Sequence, residues 1–319
     1  MNAVTPFAPT KTTNLTRISD LTPERLARLL ELAEVMKDPA TRCDEVLRDR
    51  AIALIFEQPS TRTRVSFAAA IARLGATPIP LTPQELQLGR GESIADTARS
   101  LSGYVDAIVI RAFTQATIDE LACWATVPVV NALSNEHHPC QALADLLTIK
   151  EEFGDLEGRH VTFVGDGGDN VAHSLLEAGA LAGVDVTIAC PAAYAPDQAV
   201  LARAHRLAEH SGAKLLVLHD PRAAVAGAHA VYADVWASMG EESEREARER
   251  ALAPYQVTDE LMSLAQPGAI FLHCLPAKRG QEVAASVIDG PQSAIWRQSA
   301  NRLPTEEAVL MLLTRGGEA

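Results

Sequence analysis

The chain has 319 residues, 47% hydrophobic and 22% charged, enough to bury two cores of ordinary domain size. A formal net charge of -13 at pH 7 argues against nucleic acid or an anionic membrane as partner, so any anionic substrate must meet arginines placed singly in a local pocket. Five cysteines without C-x-x-C spacing, a start (MNAVTPFAPTKTT) unlike a secretory signal and no bilayer-length apolar run point to the reducing cytoplasm, not to a disulfide framework or a zinc ribbon.

In chain order, residues 21–37 are expected to form a helix. Thr22 caps it, Pro23 suits the first turn, Glu24 is an early acid, and Leu26, Leu29, Leu30 and Leu32 recur at helical spacing. Short apolar runs at 51–56, 77–81, 106–110 and 127–133 then alternate with helical patterns at about 63–74, 93–104, 117–125 and 139–153. Such alternation predicts a parallel sheet covered on both faces. A polar break at 151–158 (EEFGDLEG) places a boundary near residue 150. The scheme then repeats, with strands expected at 160–164, 185–189, 214–218, 229–234 and 269–274, and a last helix over 305–314 after Pro304. The class is therefore α/β, two domains, each a parallel sheet flanked by helices. The run EESEREARER at 241–250 reads as a solvated helix face or loop without a function.

Five segments carry chemistry. At 56–64 (FEQPSTRTR) a strand ends and a helix begins, offering open N–H groups, the hydroxyls of Ser60, Thr61 and Thr63, and the planar fork of Arg62 for a phosphate. The plain alternative is a helix cap with surface arginines. At 137–141 (HHPCQ), His138 and Gln141 share a helix face, whereas Cys140 points elsewhere and suits the core; the paired histidines do not form a metal-binding face. At 271–276 (FLHCLP), Cys274 sits at a strand end, where ligands gather, although a cysteine there is more often core. Adjacent strand residues face opposite sides, so His273 is expected not to touch Cys274. At 234–240 (DVWASMG), Asp234 can hold an ammonium group before a mobile Ser-Met-Gly loop, or it is an ordinary acidic turn. At 165–170 (GDGGDN), Asn170 replaces the third glycine of a dinucleotide loop, and the next strand ends in Ala189-Cys190-Pro191 without an acid for a ribose. A nicotinamide enzyme and a binding protein without chemistry therefore remain weaker alternatives; neither explains S-T-R-T and H-C-L-P in one chain.

Taken together and in this order, the motifs resemble the aspartate/ornithine carbamoyltransferase family, from the first helix through Asn301-Arg302-Leu303. F-x-x-x-S-T-R-T-R followed by H-P-x-Q is shared by both branches. H-P-C-Q, D-x-x-x-S-M-G and H-C-L-P resemble the ornithine branch, since the aspartate branch lacks a cysteine in the late motif. Two positions depart from many ornithine-branch members: Lys278 stands where they have histidine, and Asp169-Asn170 where they have an Asn-Asn pair. Both bear on the acceptor, not on the donor.

The resemblance implies transfer of a carbamoyl group from carbamoyl phosphate to the side-chain amine of L-ornithine, giving L-citrulline and phosphate, with no metal or organic cofactor. It implies a carbamoyl-phosphate-binding domain at 1–150, with a C-terminal helix (about 303–319) packed back on it, and an ornithine-binding domain at 151–302. Ser60, Thr61, Arg62 and Thr63 would bind the phosphate, with Arg111 adding charge. Gln87 matches a loop that closes over the ligand. His138, Gln141 and Arg302 would orient and polarise the carbamoyl group. Asn170, Asp234, Ser238 and Met239 match ornithine contacts, and Cys274 and Leu275 would lie beside the reacting centre. A homotrimer is the family's assembly.

Overall fold

The apolar runs assemble into two separate parallel sheets in a computed structural model, which describes residues 13–82, 84–86, 91–237 and 244–314. Helix α1 (Pro23–Lys37) comes first, with the Thr22 hydroxyl accepting the N–H of Arg25. The first sheet follows through β1 (Ala51–Phe56), α2 (Arg62–Arg73), β2 (Thr77–Leu81), α3 (Ile94–Ser102), β3 (Ala107–Arg111), α4 (Gln115–Trp124) and β4 (Val129–Leu133), and α5 (Pro139–Phe153) leaves it. Its strand order is β2-β1-β3-β4. The two-residue strand period assigns each side chain to a face. Ile52, Leu54 and Phe56 join the core shared with α1, α2 and α5, while Ala53 and Ile55 pack with Ile118 and Leu121 of α4 on the other side.

The second sheet uses β5 (His160–Val164), α6 (Asn170–Ala182), β6 (Asp185–Ala189), α7 (Gln198–Ser211), β7 (Leu215–Leu218), α8 (Pro221–Val225), β8 (Ala230–Ala233), α9 (Arg245–Leu252), α10 (Asp259–Met262), β9 (Ile270–His273) and α11 (Ala285–Ile288), in the order β7-β6-β5-β8-β9. In each sheet the connection reverses direction once, between β1 and β3 and between β5 and β8. Ligands of open α/β sheets bind at the carboxyl ends of the strands beside such a reversal. Arg62 and Arg111 sit beside the first reversal; Asn170 and Asp234 sit beside the second.

Two expectations are corrected. The last helix does not start after Pro304: α12 (Ile295–Thr314) runs through it. Proline removes one helical N–H and is costly inside a helix, but burial holds this one. The Thr305 hydroxyl bonds back to the carbonyls of Asn301 and Arg302 at 2.8 and 3.0 Å. Ile295 lies in a core of the second sheet, whereas Ala308 to Leu313 pack in the core of α1, α2 and α5. The charged run at 241–250 is also more than a solvated face. Its described part opens α9, from which Arg248 turns inward to pair with Asp166 and to lie over the Tyr194 ring, 5.4 Å from its centroid. Among the described residues, no helix is long and apolar enough to cross a membrane.

Candidate active site

The site begins where β1 stops. β1 ends at Phe56, Pro59 follows three residues later, Ser60 is half-buried, and Thr61 occupies the N-cap of α2 without a side-chain cap bond among the described residues. The first-turn N–H groups and the positive helix end are therefore open to an anion. Arg62 starts the helix and donates from Nη2 to the carbonyl of Leu275 at 2.8 Å, which joins the first sheet's helix to the second sheet's strand end. Thr63 is buried and accepts from Arg302 Nη2 at 3.3 Å.

Arg111 ends β3, with a shift of register between Ile110 and Arg111. It is buried, and its Nε has no hydrogen-bond partner among the described residues. Burial, then the charges of Arg302 and Arg62, lower its pKa to about 10, so it stays cationic at neutral pH. His138 caps α5 and is also buried. Burial first, then Arg302, Arg111 and Arg62, push its pKa well below the usual value, so the imidazole is neutral. Its main-chain N–H donates to the Ser174 hydroxyl of α6 at 2.7 Å. Three arginines thus surround a neutral histidine inside a chain of net charge -13.

Gln141, three residues beyond His138, is held at both ends. Its Nε2 donates to Asp145 at 2.8 Å, and its Oε1 accepts from Arg302 Nη1 at 3.0 Å. Arg302 is fixed in turn by two bonds to Glu306, from Nη2 at 2.7 Å and from Nε at 3.1 Å. Burial raises the carboxyls of both Asp145 and Glu306 to about 7. Both pairs have i,i+4 spacing, a signal present in the sequence that the motif reading missed.

Across from these groups lies the end of β9, where His273 and Cys274 come near each other without a hydrogen bond between them. Asp234, His273 and Cys274 bring one oxygen, one ring nitrogen and the sulfur all within 4.8 Å of one another. Strand alternation does not separate His273 from Cys274 because β9 ends at His273, and Leu275 then takes a left-handed φ of 62°. The conclusion that His273 does not activate Cys274 holds for another reason. Its Nδ1 accepts the N–H of Leu275 at 2.9 Å, which places the ring proton on Nε2, 3.2 Å from buried Glu282. Neither nitrogen is free to take a thiol proton. Burial, then the Asp234 charge, push the Cys274 thiol well up, and burial raises Asp234 as well. A protonated thiol donating to a carboxylate fits these bonds better than a metal-binding trio does.

A cavity of about 440 Å³ opens between the halves, lined in part by Thr61, Arg62, Gln141, Cys274 and Arg302. Leu275 enters through its contact with Arg62, and Asp234 through Cys274. Asn170 is half-buried at the start of α6, behind the N-cap Asp169, and its carbonyl accepts the Ser174 hydroxyl at 2.8 Å. Gln87, Ser238 and Met239 lie outside the described residues. A separate cleft of about 460 Å³, lined by Asn14, Asp20, Asp119 and Cys123 among others, shares none of these residues.

The comparisons with known proteins meet this geometry along the whole chain. Residues 13–151 match the family described as aspartate/ornithine carbamoyltransferase, carbamoyl-P binding domain, and residues 157–313 match aspartate/ornithine carbamoyltransferase, Asp/Orn binding domain. The chain is 54% identical over 294 residues to an ornithine carbamoyltransferase of Acidothermus cellulolyticus, covering 92% of this chain and 94% of that one. To the corresponding protein of Methanothermobacter thermautotrophicus it is 52% identical, covering 90% and 94%. The solved ornithine carbamoyltransferase of Pyrococcus furiosus superposes with a TM-score of 0.92 at 48% identity, over 96% of this chain and 98% of that one. With both halves matched and the S-T-R-T, H-P-C-Q and H-C-L-P residues meeting around one cavity, the chain belongs to the aspartate/ornithine carbamoyltransferase family.

Proposed function

We propose that this chain transfers the carbamoyl group of carbamoyl phosphate to the side-chain amine of L-ornithine, releasing L-citrulline and phosphate. The observation that carries the reading is the cavity itself, with Arg62, Arg302 and Gln141 on one wall and Cys274, within 4.8 Å of an Asp234 oxygen, on the other. Relatives more than half identical to this chain bear the ornithine carbamoyltransferase name.

The neutral amine attacks the carbamoyl carbon, a tetrahedral oxyanion forms, and the carbon–oxygen bond to phosphate breaks with its electron pair leaving on phosphate, which takes up the proton given up by the attacking nitrogen. The helix start at Ser60, Thr61, Arg62 and Thr63 holds the phosphate, Arg111 balances its charge, and Gln87 belongs to a loop that covers it. Neutral His138 can donate one hydrogen bond to the carbamoyl oxygen, and Arg302 adds charge there. Gln141 keeps a lone pair and an amide hydrogen for the carbamoyl nitrogen and oxygen. Asp234 pairs with the α-ammonium of ornithine, Asn170, Ser238 and Met239 complete the acceptor contacts, and Cys274 with Leu275 flanks the carbon under attack. The high thiol pKa makes Cys274 a proton-handling neighbour, not a covalent nucleophile. Residues 1–150 with the C-terminal helix form the donor domain and 151–302 the acceptor domain of a cytoplasmic homotrimer that needs no metal or organic cofactor.

The test is one panel: carbamoyl phosphate with each amine, scored by phosphate release and product mass. Ornithine is expected first, and lysine about one to two orders of magnitude worse, since one methylene is worth about 1–3 kcal/mol in a pocket. Putrescine, N-acetylornithine and aspartate should be poor. Putrescine or an acylated ornithine ahead of ornithine would remove Asp234 as the α-amine partner and send attention to Lys278 and Asp169.

A further inference from the structure

Gln298 lies on α12, fully buried, between the two halves. Its Nε2 donates to Asp145 Oδ1 at 2.7 Å, and its Oε1 accepts the main-chain N–H of His273 at 2.8 Å. The same Asp145 oxygen accepts from Gln141 Nε2 at 2.8 Å and from the Tyr232 hydroxyl of β8 at 3.4 Å. Gln141 lines the cavity, and His273 is the residue before Cys274. An unbroken buried relay therefore runs from α5 through α12 to the end of β9. Asp145 and Gln298 do not line the cavity, so their means of action is to fix an orientation. Because Asp145 accepts, the Gln141 amide must turn its nitrogen toward Asp145 and its oxygen toward Arg302; a flipped amide would set a carbonyl against a carboxylate and against no donor. Gln298 is bonded at both ends in the same way and is held to one orientation.

We infer, resting on the carbamoyl-transfer reading above, that Asp145 and Gln298 are positioning residues for the reaction. They hold the side chain that orients the carbamoyl group in register with the strand end that carries Cys274 beside the acceptor amine. A displacement of about 1 Å between reacting groups costs about a hundredfold in rate, and this relay spans the boundary across which such a displacement would occur.

Gln298→Met keeps the side-chain length and removes both hydrogen bonds. The relay predicts that kcat falls about a hundredfold. Inhibition by inorganic phosphate, which reads the helix start and its arginines, should stay within about threefold, because uniform binding is untouched. Asp145→Asn keeps the accepting oxygen and should retain activity within about tenfold of the parent, whereas Asp145→Leu should fall as far as Gln298→Met. The inference is overturned by a folded Gln298→Met with parental kcat. Loss of phosphate inhibition in step with kcat overturns it too, as does an Asp145→Asn no better than Asp145→Leu. If Gln298→Met fails to fold, Gln298→Asn, one methylene too short to reach both partners, is judged by the same two readouts. A parent that releases no phosphate with any amine of the panel overturns the function reading itself, a result distinct from an active parent with an indifferent relay.

Discussion

The two walls of the cavity are built on different plans. On the donor wall, Arg302, Gln141 and Thr63 are tied to one another and to buried Glu306 and Asp145 by bonds of 2.7 to 3.3 Å. The acceptor wall is tied through its main chain: the Leu275 N–H to the His273 ring, the Leu275 carbonyl to the Arg62 guanidinium and the His273 N–H to Gln298, with the Cys274 thiol beside Asp234. The contrast fits the chemistry each wall serves. Charge builds and leaves at the donor, where preset dipoles lower the barrier without reorganising. The acceptor must enter, lose a proton and depart. Arg62 touches both walls directly through its bond to the Leu275 carbonyl, and Gln298 links them from behind, so the residue proposed to hold phosphate also meets the acceptor's strand end.

Breaking the donor wall should have the largest effect. Arg302→Met leaves Gln141 and Glu306 without their cation, and kcat should fall about 10²–10³-fold, as when one oxyanion donor is removed; steady-state phosphate release checks it, and a loss under about tenfold would sink the claim that this wall is preset. Next comes Arg62→Lys. A point charge cannot reproduce the fork that grips a phosphate, and activity should drop about a hundredfold while the chain stays folded. Arg64, two residues further along α2, should accept the same change. Near-normal turnover of Arg62→Lys would take that residue out of the donor wall.

The walls should also part in their response to pH. A side-chain ammonium like that of lysine has a pKa near ~10.4, so the neutral fraction rises about 30-fold from pH 7.5 to 9. The acceptor's kcat/KM should climb with it. Phosphate inhibition over the same range should stay nearly flat, because Arg111, lowered by burial only to about 10, is still largely charged and His138, held well below its usual range, is already neutral. A histidine-like limb near pH 6.5 in the donor's binding would contradict the neutral His138. The same shift bears on stability with a definite sign. The folded His138 binds a proton less readily than the unfolded one, so its contribution is present above pH ~6.5 and is lost as pH falls below it. The smallest change is Cys274→Ser, whose hydroxyl can make the same bond to Asp234. It should weaken turnover about tenfold and not abolish it. A carbamoyl-cysteine trapped by mass spectrometry would reverse the role given to the thiol.

Much of this was legible in the residues. The runs that became β1, β2, β5 and β6 are apolar and flanked by turn-forming or charged residues, so their bounds could be read directly, and Pro139 and Gly154 bracket α5 from start to end. The misreadings have physical causes. Pro304 reads as a breaker in isolation, and only the packing of α12 against α1, α2 and α5 makes the continuous helix worthwhile. His273 was set apart from Cys274 by a strand period that stops one residue too early. Gln298 and Asp145 are separated by 153 positions, as Gln141 and Arg302 are by 161, and no local pattern announces a bond across such a distance.

Helix α12 ties the history of the chain to its chemistry. One of the donor wall's arginines, Arg302, is not encoded with the rest of that wall. Gln141 lies 161 positions before Arg302, so at roughly 5–20 residues per second a ribosome would need about 8–32 seconds to deliver it. During that time the nascent first half would carry an open helix start, a glutamine without its cation and an uncovered apolar flank on α1, α2 and α5. The segment that covers the flank of α1, α2 and α5 is thus also the one that brings the Arg302 guanidinium to Gln141.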